Sequence, residues 1–237
     1  MSSTATLRLH GYPVSNYFNI AHAGLIECGI DHEIVTCRAS QQADFLKASP
    51  MGKIPVLQTP RGWIAETIAI LEYMEDCPGS RSLYSPDVFE RARQRQMINL
   101  VQMYIEAPLR GLYPGVFMGG ENSPAVIASV RVLLDRSTHA LRLLAILDPY
   151  LMGRSLSYAD LFAFYCLEIA ERLTQFVYGR SLLDEVVGLR RWFELIAQRD
   201  SSRRVLADFD AAFTIYLTDK RARYRPHGDA SGQMHGA

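Results

Sequence analysis

The chain has no excess of either charge: among its 237 residues Lys plus Arg and Asp plus Glu each number 25. That balance provides no broad basic field for nucleic acid or an anionic membrane surface. Cysteine is scarce. Cys28, Cys37, Cys77 and Cys166 are widely spaced, with no C-x-x-C pair and no Cys/His cluster at metal-ligand spacing. No metal is therefore expected, and a reduced cytoplasmic protein is the natural reading. No apolar run approaches the roughly 20 residues of a membrane span. The polar start, Met1 to Thr6, has no charged head followed by an apolar core, so it does not read as a signal peptide. No internal repeat stands out. Hydrophobic residues at 49% and charged ones at 21% are ordinary for a soluble globular protein, long enough for one large domain or two modest ones.

The first 80 residues change hydrophobic period repeatedly. Thr6 to His10 alternates as a strand. Tyr17, Ile20, Ala21, Gly24, Leu25 and Cys28 then form the stripe of one helix, with Gly29 suited to its C-cap. His32 to Thr36 reads as a second strand, parallel to the first, and Ser40 as the cap of a short helix through Ala48. Strands at Pro55–Thr59 and Trp63–Ala65 flank a turn, and a helix from Thr67 to Asp76 stops at Pro78-Gly79. This order predicts a small α/β domain with a four-stranded mixed sheet. Beyond a Pro/Gly/Ser-rich linker the pattern is helical. Asp87 or Ser85-Pro86, with Glu90, caps a long helix to about Leu112, and Tyr113 to Asn122, with Pro114 and its glycines, reads as a loop. Further helices are predicted from Ser123-Pro124 to Asp148-Pro149, after the capping-box-like Ser157-Tyr158-Ala159-Asp160, and over Leu189–Gln198, Ser202–Leu206 and Asp208–Leu217. Leu161 to Leu173 is apolar nearly all round and should be the central buried helix.

The stretch Ser49-Pro50-Met51-Gly52-Lys53-Ile54-Pro55-Val56-Leu57 is the most informative. Pro55 has no N–H to give a ladder, so it belongs at the first residue of its strand or on an edge. A cis bond is one solution, and it would turn the main-chain groups of Ile54 outward beside Lys53. Glu66 and Thr67 place a carboxylate and a hydroxyl at a helix N-terminus, near free backbone donors. Together these groups suit a small zwitterionic peptide.

These residues carry a family resemblance. Ser49-Pro50-x-Gly52-Lys53-Ile54-Pro55-Val56-Leu57, the Glu66-Thr67 pair, Leu83-Tyr84-x-Pro86-x-x-x-x-Arg91-Ala92, Ser157-x-x-Asp160 and Arg199-x-Ser201 occur in order. Over roughly residues 6 to 217 the chain resembles a cytosolic glutathione transferase of the serine type, class unassigned. The resemblance implies a thioredoxin-like glutathione-binding domain over 1–79 and an all-helical domain over 87–219; composition makes 80–86 a linker and the polar, Gly-containing 220–237 a disordered tail. It implies that Pro55 is cis, that Ile54 pairs by its backbone with the cysteinyl unit of glutathione, that Glu66 and Thr67 hold the γ-glutamyl group, and that Lys53 reaches a carboxylate. It also implies glutathione as co-substrate, a hydrophobic electrophile as partner, conjugation in the service of detoxification, and a homodimer.

The chemistry needs a thiolate, and a hydroxyl at a helix N-terminus favours one. Ser15 is the choice, in Gly11-x-Pro13-x-Ser15; its other reading is a helix N-cap. Tyr12 and Tyr17 are rivals, and Tyr17 on the apolar stripe reads as core. No cysteine lies between Gly11 and Asn19, which disfavours mixed-disulfide chemistry, and Cys28 reads as a buried small hydrophobe. Tyr104, Tyr113 and Phe117 are candidate walls for the second substrate. Isomerisation or dehalogenation on the same site, and a non-catalytic binding module of this fold, are the alternative functions.

Overall fold

The structure, a computed structural model, describes residues 6–226. The N-terminal half runs β1 (Leu7–Gly11), α1 (Asn16–Cys28), β2 (His32–Thr36), α2 (Ala43–Ala48), β3 (Val56–Thr59), β4 (Gly62–Ala65) and α3 (Thr67–Glu75). The sheet order is β2-β1-β3-β4, with β1 and β2 parallel and the other two pairs antiparallel. Leu9 pairs with Leu57 in register, and both are fully buried. Gly29 caps α1 in the left-handed conformation, its N–H donating to the Ile26 and Leu25 carbonyls. Gln42, rather than Ser40, is the residue before α2. The Ser40 hydroxyl instead accepts from the Gln42 N–H, forming a local turn that starts the helix two residues later.

The C-terminal half is helical: α4 (Val88–Leu100), a π-helical segment (Val101–Glu106), α5 (Ala107–Leu109), a 3₁₀ turn (Arg110–Leu112), α6 (Tyr113–Phe117), α7 (Pro124–Leu144), α8 (Tyr158–Tyr178), α9 (Leu189–Ala197) and α10 (Asp200–Asp219). Asp87 caps α4 by accepting from the Glu90 N–H at 2.9 Å. The long helix does reach Leu112, but it is wound unevenly. Pro108 has no N–H for the Tyr104 carbonyl four residues back, and the π-wound segment directly precedes it, closed by Ala107 N–H donating to Gln102.

Three further expectations are corrected. Tyr113–Phe117 is a helix, not part of a loop: Pro114 sits in its first turn, where a missing N–H costs nothing. The residues after it are tied down, since Asn122 accepts from the Gly115 N–H at 2.9 Å and donates to the Leu112 carbonyl at 2.8 Å. Second, the last two predicted helices are one, Asp200–Asp219. Third, the tail expected to be disordered from 220 begins as packed chain. Ala222 and Tyr224 are buried, and the Tyr224 N–H donates to Val116 at 3.1 Å. The rest of that expectation, 227–237, lies outside the described residues.

The core is continuous across both halves. Helix α8 is buried along most of its length, and α1 packs against it and against α3. Asp160, fully buried, accepts from Leu151 N–H at 2.7 Å, from Ser157 N–H and O–H at 2.8 Å each, and from the Trp192 indole at 2.8 Å. A second tie joins α1 to the other end of the helical half. Glu27 receives both Arg199 Nε at 2.8 Å and Nη2 at 2.7 Å, with the Ser201 hydroxyl also donating to it.

Candidate active site

Between the two halves lies a cleft of about 450 Å³, and Ser15, Lys53, Ile54, Pro55, Glu66 and Thr67 all line it. Each arrives there for a local reason. Ser15 ends the β1–α1 turn as the N-cap of α1, its Oγ accepting from the Phe18 N–H at 3.3 Å. That bond uses a lone pair. The O–H remains free to donate, so a cap and a hydrogen-bond donor to a ligand are compatible in one hydroxyl. Lys53, Ile54 and Pro55 are set by the preceding turn, where the Ser49 hydroxyl accepts from Lys53 N–H at 2.9 Å and donates to Lys53 C=O at 2.8 Å. Gly52 has φ +66° in that turn, and a Cβ there would meet the Ser40 carbonyl at 2.4 Å, so glycine is required.

The Ile54–Pro55 bond is cis, and Pro55 directly precedes β3. Among the described residues the Ile54 main-chain N–H and C=O have no hydrogen-bond partner, and Ile54 lines the cleft. Glu66, at the N-cap of α3, has φ +70° and ψ 119°, a backbone state that non-glycine residues rarely occupy. It directs its exposed side chain at the cleft beside the first-turn N–H groups of α3. Strain of this kind costs of order 1–3 kcal/mol and marks functional sites.

Three polar or charged cleft residues carried no sequence motif: Gln102, Glu106 and Arg110. Glu106 is 2% exposed yet receives Tyr17 O–H at 2.8 Å, Asn16 Nδ2 at 3.1 Å and Arg110 Nη2 at 2.7 Å. Its i,i+4 spacing to Arg110 on a predicted helix was the available signal, and such pairs are usually solvated. Tyr17 is therefore neither simple core nor a free donor. Burial, and then the adjacent Glu106 carboxylate, push its phenol well above the usual range, and its proton is committed to Glu106.

A second, largely apolar cavity of about 260 Å³ adjoins the first. Tyr12, Tyr113, Phe117, Phe213 and Tyr216 wall it, and Ser15 and Arg110 line both spaces. Of the candidate wall residues, Tyr113 and Phe117 are here, whereas Tyr104 is half exposed and borders a separate groove between α4 and α7. Tyr12 carries the Arg38 guanidinium over its ring at 4.3 Å. Cys28 is buried against the Tyr158 hydroxyl at 3.2 Å, and burial pushes its thiol up to about 11, so it is inert. Among the described residues no group of three or more His, Cys, Asp or Glu side chains gathers to hold a metal. No helix among them is long and apolar enough to cross a membrane.

Residues 14–77 match the family model described as "Glutathione S-transferase, N-terminal domain". A glutathione S-transferase of Pseudomonas putida is 31% identical over 211 residues, spanning 89% of this chain and 96% of that one. The chain belongs to the glutathione S-transferase family. Its four-stranded mixed sheet with a helical second half is that family's thioredoxin-like architecture. The fold recurs in the structure of glutathione S-transferase-I bound with lactoylglutathione, with TM-score 0.69 and 22% identity over 86% of this chain and all of that one. Elongation factor 1-gamma 3 of Oryza sativa subsp. japonica is also similar, 27% identical over 191 residues. There the match spans 78% of this chain but 44% of the factor.

Proposed function

We propose that this chain is a glutathione transferase that holds glutathione in the larger cleft, ionises its thiol beside Ser15, and adds the sulfur to an electrophilic carbon presented from the apolar cavity. The observation that carries this reading is the junction: Ser15, with a free O–H, lines both spaces. Glutathione brings two carboxylates and one ammonium. Lys53 and the α3 N-terminus match the carboxylates, Glu66 matches the ammonium, and the Ile54 main chain offers a strand-like pair of bonds. The Ser15 hydroxyl and the N-terminus of α1 favour the anionic sulfur.

A second reading follows from the likeness to elongation factor 1-gamma: a glutathione transferase-like module that assembles with other proteins. Retention on immobilised glutathione together with a conjugation assay separates the two. A protein that is neither retained nor active supports the module; retention without conjugation supports isomerase or dehalogenase chemistry. Replacing Ser15 with Ala is expected to lower kcat/KM by about 10- to 100-fold, as for loss of a hydrogen bond to a charged group, while glutathione affinity changes little. Unchanged turnover would assign the thiol to another group. The exposed apolar side chains Met51, Val88 and Phe89 support a homodimer, tested by light scattering on the eluted protein.

A further inference from the structure

Asn16 follows Ser15 directly as the first residue of α1, and its side chain is buried. Among the described residues every hydrogen bond that side chain makes runs to the helical half. Its Nδ2 donates to Glu106 Oε1 at 3.1 Å and to Cys166 Sγ at 3.6 Å, and its Oδ1 accepts from Arg110 Nη2 at 3.1 Å. The three partners fix the orientation of the carboxamide, since a carboxylate oxygen and a sulfur face its donors and a guanidinium faces its acceptor. Burial holds the Cys166 thiol well above its ordinary range, so the sulfur is a neutral partner. Arg110 Nη2 also lies 2.7 Å from Glu106 Oε1, so the two charged groups that grip Asn16 are paired with each other. The local hold on the neighbouring Ser15 hydroxyl is slight by comparison. Its Oγ accepts from the Phe18 N–H at 3.3 Å, beyond the usual range of about 2.7–3.2 Å.

We infer that Asn16 is a positioning residue for thiol activation: the clamp of Glu106, Arg110 and Cys166 on its carboxamide sets where the Ser15 hydroxyl stands against the glutathione sulfur. The inference rests on the transferase reading above. A hydroxyl stabilises a thiolate only within hydrogen-bond reach, and a misplacement of about 1 Å at a reacting centre can cost about 100-fold in rate. Groups that must stand so closely are held by hydrogen bonds made one residue further out. Asn16 acts through the backbone it shares with Ser15. The clamp is also close to neutral as a unit: the Glu106 carboxylate by itself would oppose an anionic sulfur, and the Arg110 guanidinium offsets it. What Asn16 passes to Ser15 is therefore position rather than charge. The second tie on α1, Glu27 with Arg199, joins the same helix to the helical half at its opposite end, away from Ser15.

The test titrates the thiol of bound glutathione, read by ultraviolet absorbance of the thiolate, in wild type, Asn16→Leu, Asn16→Ser and Arg199→Ala. Leucine keeps the bulk of Asn16 without its hydrogen bonds. Serine, too short to span Glu106 and Arg110, serves if the leucine variant folds poorly. The bound thiol is expected to titrate about one pH unit higher, or more, in the Asn16 variants, as for a weakened hydrogen bond to a charged group. Affinity for glutathione at acid pH, below the titration of the thiol in each protein, should stay within about twofold of wild type. Arg199→Ala should lower the denaturation midpoint and leave the thiol where wild type has it, which separates positioning of Ser15 from a general loosening of α1. An unshifted thiol in the folded Asn16 variants, an equal shift in Arg199→Ala, or an acid-pH affinity that falls in step with the shift each overturn the inference while leaving the transferase reading intact. A wild type that binds no glutathione, or binds it with the thiol at its free value, overturns both.

Discussion

One hydroxyl in this protein serves two ends at once. Ser15 accepts at the N-terminus of α1, satisfying a backbone donor, and keeps its proton for the cleft. Glu66 is the opposite case, a residue whose backbone is unfavourable where it stands. Its φ of +70° is one that glycine, lacking a Cβ, reaches at lower cost. Glu66→Gly is therefore expected to leave stability unchanged or raise it by about 1 kcal/mol, because relief of strain outweighs the added freedom of the unfolded chain. The same change should weaken glutathione binding by about tenfold or more, through loss of the carboxylate that faces the ammonium. Calorimetric titration beside a thermal melt reads both effects, and a destabilised variant would show that the backbone is not strained.

At the scale of elements, α8 depends on Asp160 and α1 on the neutrality of His22. The Asp160 carboxylate satisfies three N–H donors and one hydroxyl, joining the α8 cap to the 151 turn and to Trp192 of α9. Asp160→Ala should cost about 3–5 kcal/mol by orphaning them, visible as lost soluble yield or a lower denaturation midpoint. His22, 8% exposed, is held down to about 4 by burial, then by His32 and Arg204. The folded state thus binds fewer protons than the unfolded chain between about 4 and the ordinary value of 6.5. Its contribution is complete above that ordinary value and is lost as pH falls toward 4, on the order of 3 kcal/mol in all. Denaturant melts from neutral to acidic pH should show this slope, and His22→Leu should flatten it.

Across the whole molecule, Glu106 and Glu27 are two of the acidic side chains that bond to residues of the other half. Glu106 from the helical half reaches Tyr17 and Asn16 at the start of α1; Glu27 at the end of α1 meets Arg199 and Ser201. Burial disfavours the Glu27 charge, but the Arg199 and Ser201 hydrogen bonds and the Arg199 charge outweigh it and hold the carboxyl below its usual range. Its stabilisation is present above the ordinary glutamate value and lost on acidification, the same direction as His22. Arg199→Ala leaves a buried carboxylate without its partner and should cost about 3 kcal/mol. Pairing it with Glu27→Leu should recover much of that loss in the same melt; no recovery would mean the arginine acts by packing alone.

Much of this was written locally. Alternating runs specified the strands, the 3.6-residue stripe specified α1, the Ser157/Asp160 pair announced the start of α8, and Pro55, Glu66 and Thr67 marked the cleft because proline and capping chemistry act over a few residues. Two of the mistaken places were decided by contacts outside the segment itself. Tyr113–Phe117 folds as helix because Asn122 closes behind it, and the chain after Asp219 stays packed because Val116, Phe117 and Phe213 receive Tyr224. Glu106 and Arg110 have the spacing of an ordinary surface pair, and only the packed fold buries Glu106 while Arg110 stays exposed. The linear chain by itself determined most of the helices and strands and the presence in the cleft of groups suited to a small zwitterionic peptide, since these follow from short-range spacing. Only the tertiary structure decided that Ser15 and Arg110 stand at the meeting of two cavities, because the hydrogen bonds that bring their elements together join Asn16 to residues about 90 positions away in the chain.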